Sequence, residues 1–62
     1  MDWINIHERL PNYNELVWIE IGNNQFFGYL IDTVGTESIW EDVNTGERKY
    51  GKLNVRWKRF PK

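Results

Sequence analysis

The sequence predicts an all-β domain: a small antiparallel sheet of four to five strands, twisted into an SH3-like, partly open barrel. Three observations carry this. Short runs of β-branched and aromatic residues recur along the chain, turns rich in Gly and Asn separate them, and no segment has the periodicity of an amphipathic helix.

Trp3-Ile4-Asn5-Ile6 alternates weakly and reads as a short extended segment or edge strand. His7 to Leu10 has room for one helical turn, which Pro11 stops because the residue before a proline is pushed out of the helical region. Asn12-Tyr13-Asn14 is turn material. From Glu15 to Ile31 two apolar runs flank Gly22-Asn23-Asn24, residues that tolerate the positive φ of a tight hairpin turn. The rest of the chain must pack around this hairpin.

The hairpin's loop length decides which side chains share a face. An even loop, Asn23-Asn24 or Gly22 to Gln25, sets Ile21 opposite Phe26 and Trp18 opposite Tyr29. Val17, Ile19, Ile21, Phe26, Gly28 and Leu30 then form one face, and Leu16, Trp18, Glu20, Phe27, Tyr29 and Ile31 the other. An odd loop would exchange the second strand's two sets. Both faces are apolar in either case, so each is covered or left for a partner.

After a turn at Asp32 to Thr36, Ser38 to Val43 reads as a third strand, with Ile39 and Val43 on one face and Trp40 on the other. Asn44-Thr45-Gly46 suits a type I turn with glycine in the left-handed position. Glu47 to Tyr50 returns, Gly51 bends the strand, and Leu53 to Trp57 alternates: Leu53, Val55 and Trp57 inward, Lys52, Asn54, Arg56 and Lys58 outward. Phe60-Pro61 closes with an apolar plug and a residue that stops pairing.

With 62 residues there is room for one domain, 1–62, near the lower limit for folding without staples. Cysteine is absent, so packing must supply the stability, and most of the ten aromatics are needed in the core. The opening residues lack the pattern of a secretory signal and no apolar run approaches membrane-spanning length, so the expectation is a soluble, cytoplasmic protein. Net charge is −1, but residues 1–45 hold eight acidic residues against Arg9, whereas 46–62 hold seven basic ones against Glu47. Either a basic strand pairs with acidic neighbours, or the molecule has an acidic and a basic face.

Trp3-Ile4-Asn5-Ile6-His7-Glu8-Arg9-Leu10-Pro11 resembles the opening W-I-x-V-x-E-R-L-P of an uncharacterised family of small domains encoded by bacteria and their phages. Val55-Arg56-Trp57-Lys58-Arg59-Phe60-Pro61 is similar to a divergent form of that family's closing T-H-W-x-P-L-P. Arg56 stands where the family has His, and Arg59 where it has Pro. The resemblance implies a β-rich fold and a phage or prophage origin, and it supplies no activity. The same residues, read physically, set Trp3 against Trp57 where the chain ends meet, with Leu10 and Phe60 nearby.

Catalytic chemistry finds little support. Gly46 to Lys52 fits the skeleton of a phosphate-binding loop, but Leu53 offers no hydroxyl for Mg²⁺ and the context is a hairpin. His7 and Ser38 are the only residues of their kinds, and Glu41 and Asp42, as strand neighbours, point to opposite faces. No metal-ligand spacing is recognisable and no cofactor is called for. The expectation is a non-enzymatic binding module that blocks a host protein, such as a defence-system component. Its candidate surface is Leu16, Trp18, Tyr29 and Trp40, with Arg56 and Lys58 from the basic strand. The alternatives are a nucleic-acid-binding barrel using that basic strand, and a homodimer that buries the second apolar face.

Overall fold

The hairpin turn is made by Gly22 and Asn23. Gly22 has φ +61°, the conformation a type II′ turn asks of its first central residue. In the computed structural model, which describes residues 2–60, the flanking strands are β2 (Val17–Ile21) and β3 (Asn24–Val34). The loop is even, which selects the even-loop faces over the odd-loop alternative, but it closes one position earlier. Ile21 therefore opposes Asn24, and Trp18 opposes Phe27 rather than Tyr29.

Among the described residues six strands, against the four to five expected and with two-residue β1 (Ile4–Asn5) included, form one antiparallel sheet, and no helix is present. The others are β4 (Glu37–Asp42), β5 (Arg48–Gly51) and β6 (Val55–Lys58), and the order is β1-β6-β2-β3-β4-β5. Strand β3 is the longest. Its first half, from Asn24 to Gly28, pairs with β2, and its second half, from Gly28 to Val34, pairs with β4. The register slips between Leu30 and Asp32, leaving Ile31 as a bulge, which increases the twist. Three positions before the bulge, a methyl group on Gly28 would collide with the backbone oxygen of Glu41, so glycine lets β4 cross at close range.

The core is the inner face: Val17 and Ile19 from β2, Phe26 and Leu30 from β3, Trp40 from β4, Val55 and Trp57 from β6, with Ile6. Gly51, at the end of β5, packs where a side chain would strike Val55, so the far edge of the sheet comes back to β6. The hairpin between β4 and β5 turns at Gly46, φ +76°, while Asp42 N–H donates to Glu47 O and Gly46 N–H to Asp42 O. That stretch is the turn its composition predicts.

Several sequence expectations give way. Trp40 is fully buried opposite Leu30, so it lies in the core and off the surface assigned to it. Leu53 was expected inward and is 69% exposed, because residues 52–54 leave the sheet before β6 begins. The chain ends do meet, through β1 and β6, but Ile4 is the residue opposite Trp57. Trp3, one position earlier, is thrown onto the outer face and packs on Trp18. Phe60 is on that face too, and Leu10 is exposed. The expected helical turn before Pro11 is a single turn in which Glu8 and Arg9 N–H donate to Asn5 O. Pro11 is buried, and the role assigned to Pro61 lies outside the described residues.

Candidate functional site

The outer face of β2, β3 and β6 gathers the most distinctive side chains outside the core. Alternation along β2 sends Trp18 outward between the buried Val17 and Ile19, and β3 does the same with Phe27 and Tyr29. Trp18 lies opposite Phe27 on one side and Lys58 on the other. The chain ends then add Trp3 and Phe60. Ring centres are 6.0 Å apart for Trp3 and Trp18, 5.1 Å for Trp18 and Phe27, and 5.0 Å for Phe27 and Phe60. All four rings are half-buried, so each covers its neighbours and still shows part of itself to solvent.

Cations decorate this cluster. The Lys58 ammonium lies 4.7 Å from the Trp3 ring centre and 4.6 Å from that of Trp18, and the Arg56 guanidinium lies 5.2 Å from Trp3. Such contacts contribute about 0.5–1 kcal/mol each at exposed positions. Arg56 is also paired, donating from Nε to Glu20 Oε1 across the β2–β6 ladder. This bond holds the Glu20 carboxyl below its ordinary value; partial burial opposes the shift and Gln25 reinforces it. Arg59 donates to Glu15 Oε2 at 2.9 Å. The basic C-terminal stretch thus neutralises acidic residues of the hairpin at two points, which accounts for part of the charge asymmetry without a ligand.

Of the six predicted surface residues, the fold brings Trp18 and Lys58 into contact and places Arg56 beside them. Leu16, just ahead of β2, is 41% exposed. Tyr29 is half-buried and outward, opposite Glu41. Trp40 is excluded by burial. Trp3, Phe27 and Phe60 complete the cluster and were not singled out as surface residues. The alternation Phe27-Gly28-Tyr29 could have flagged Phe27, since it shares a face with Trp18 in any even-loop register.

The residues considered for catalysis are scattered. His7 is exposed, and its backbone N–H donates to Asn5 Oδ1 at 2.8 Å. Ser38 is buried and ties two strands together. Its Oγ donates to Gly51 O at 3.1 Å and accepts the Trp40 indole N–H at 2.8 Å. Asp42 points inward and accepts from Asn44 N–H, whereas Glu41 points outward. Among the described residues no group of three His, Asp or Glu is placed to hold a metal, and no helix is long and apolar enough to cross a membrane.

A groove of about 430 Å³ opens beside the hairpin turn, lined by Asn5, Glu20, Asn23, Asn54 and Arg56. Many of its polar groups are already engaged: Glu20 with Arg56, Asn5 Oδ1 with His7 N–H, and Asn54 O with Gly22 N–H. The outer aromatic face is the better candidate. No family model matches the chain, and neither the curated proteins nor the solved structures include a significant match to it.

Proposed function

We propose that the chain is a small non-catalytic binding module that acts by occupying a surface of a partner protein. One observation carries this reading: Trp3, Trp18, Phe27 and Phe60 form a contiguous aromatic patch on the outer sheet face, edged by Lys58 and Arg56. Aromatic and cationic side chains on one preformed surface are the groups that dominate protein interfaces. The sheet's return from β5 to β6 supports the SH3-like, partly open barrel as the finer description of the scaffold. The resemblance of the chain ends extends the proposal to a phage-derived protein that blocks a host protein, such as a defence component, in the host cytoplasm.

Nucleic acid fits this face less well. Arg56 and Arg59 are paired with carboxylates and Lys58 is seated on two rings, which leaves few cations to neutralise phosphates. The test is capture of partners from a host lysate, with and without nuclease treatment, with Leu16→Arg and Trp3→Ala run beside the wild type. Leu16→Arg changes an exposed side chain and should keep the wild-type melting curve, and Trp3→Ala removes a half-buried ring and should leave the domain folded. The proposal expects one stoichiometric protein in the wild-type capture and its loss in both variants. Capture that survives both changes, or that disappears on nuclease treatment, contradicts it. A concentration-dependent dimer without a captured protein would assign the face to self-association.

A further inference from the structure

Lys58 and the two outer tryptophans form a corner whose geometry goes beyond general stickiness. The ring centres of Trp3 and Trp18 are 6.0 Å apart with planes inclined by 58°, and the Lys58 nitrogen lies 4.7 and 4.6 Å from them. Those three distances make the lines from the nitrogen to the two rings meet at nearly a right angle. The rings are two walls and the ammonium sits between them, attracted by the negative faces of both π-systems. Among the described residues the ion pairs are Lys49–Glu47, Arg56–Glu20 and Arg59–Glu15, so no carboxylate there shares in holding Lys58. The Trp18 wall is backed by Phe27 and by Phe60, which stack on one another. A cation that enters the corner meets a surface already in place.

The spacing bears on the kind of cation. Carbon atoms touch at about 3.5–4.0 Å, so a nitrogen shielded by a methyl group rides roughly 4.5–5 Å from an aromatic ring. Lys58, 4.6 and 4.7 Å from the two ring centres, holds its nitrogen at a separation that a methylated nitrogen could also occupy. A quaternary ammonium in that position gives up no hydrogen bonds to water on entering, because it has no N–H to donate. Lys58 itself is on a flexible stem at the edge of the site and can swing out to solvent.

We propose that Trp3 and Trp18 form a binding corner for a quaternary ammonium group, carried by a trimethylated lysine of a partner protein, and that Lys58 plugs this corner in the free chain. The inference rests on the outer face being the binding face and names the chemistry recognised there. Arg56 beside Trp3 is neutralised by Glu20 and leaves the corner open to a second cation. The plug competes with the ligand, so the apparent affinity is reduced by the fraction of time that Lys58 is seated.

The experiment titrates a short trimethyllysine peptide, its unmethylated counterpart and free choline into wild type, Lys58→Ala, Trp3→Ala and Trp3→Phe, following the four indole N–H signals by NMR. The trimethyllysine peptide should move the Trp3 and Trp18 signals and leave Trp40 and Trp57 in place. Lys58→Ala should bind it about 5–10-fold more tightly, as expected for removing a plug held by two exposed rings. Trp3→Ala should lose binding and Trp3→Phe retain part of it, which separates loss of a wall from loss of fold. No response in Lys58→Ala, weaker binding there than in wild type, or equal binding of the unmethylated peptide overturns the proposal. Choline bound as tightly as the peptide overturns the side-chain source and assigns the site to a free or lipid headgroup. If Leu16→Arg and Trp3→Ala abolish protein capture while no ammonium binds, this inference fails and the binding-module reading stands.

Discussion

Two tryptophans lie on each face of the sheet, and the two pairs are treated in opposite ways. Trp40 and Trp57 are fully buried, and each indole N–H has a protein acceptor: Ser38 Oγ for Trp40 and Arg9 O for Trp57, both at 2.8 Å. Trp3 and Trp18 are half-buried, offer their ring faces to cations, and donate to no protein acceptor among the described residues. No buried side-chain polar atom among the described residues lacks a partner, so the outer indole N–H groups face solvent. The difference shows how a chain of 62 residues can afford an aromatic-rich surface. Its inner face closes completely with two indoles anchored at both ring and N–H, and the outer cluster needs to be only half-covered.

The largest effects should fall on the inner pair. Trp57→Ala and Trp40→Ala should each cost about 3–5 kcal/mol by leaving a large cavity, enough to unfold a domain this small. Trp18→Ala should cost roughly half as much, because half-exposed rings bury less area. Urea denaturation of the three variants measures the ratio, and equal losses would erase the distinction between the faces.

Ser38→Ala comes next, at about 1–3 kcal/mol. It removes the acceptor of the buried Trp40 N–H and the donor to Gly51 O, and an unsatisfied buried polar group costs that much. A loss well under 1 kcal/mol would mean that these groups find other partners. Lys58→Ala should cost less still, about 1–2 kcal/mol at most from two ring contacts, and its midpoint in urea should respond little to salt. Strong salt dependence would point to an ion pair in place of the ring contacts.

The Arg56–Glu20 pair gives the smallest effect, and it depends on pH. Glu20 titrates below its ordinary value of 4.5 in the folded chain because Arg56 donates to it. Its stabilisation is present above that ordinary value and is lost as pH falls through the lowered one. Denaturation midpoints measured from pH 7 down to pH 3 should therefore drop below about pH 4.5 in wild type, and less so in Glu20→Gln. A parallel decline in both proteins would show that the pair adds nothing.

How far the sequence could be read depends on what alternation encodes. Face membership within each strand of the hairpin was legible, but which β3 set joins Val17 and Ile19 turns on loop parity: an even loop puts Phe26 with them and Trp18 with Phe27, an odd one the reverse. The register was not, since Gly22-Asn23 and Asn23-Asn24 both suit a two-residue turn and only the backbone at Gly22 decides between them. In Ser38-Ile39-Trp40 both parities offer an apolar residue to the core; the pairing of Leu30 with Trp40 buries the larger one. That choice removed Trp40 from the candidate surface and turned Ser38 into its hydrogen-bond partner. At the chain ends the meeting of Trp3 and Trp57 was one residue out of phase, enough to send Trp3 to the other side of the sheet. The Lys58 corner followed from that shift and was therefore hidden.

Hydrogen exchange of the four indole N–H groups tests the division between the faces most directly. In D₂O the Trp40 and Trp57 signals should persist until the domain opens globally, while those of Trp3 and Trp18 should vanish early. Protection of all four signals, or early loss of Trp57, would contradict a sealed inner face and an accessible outer one.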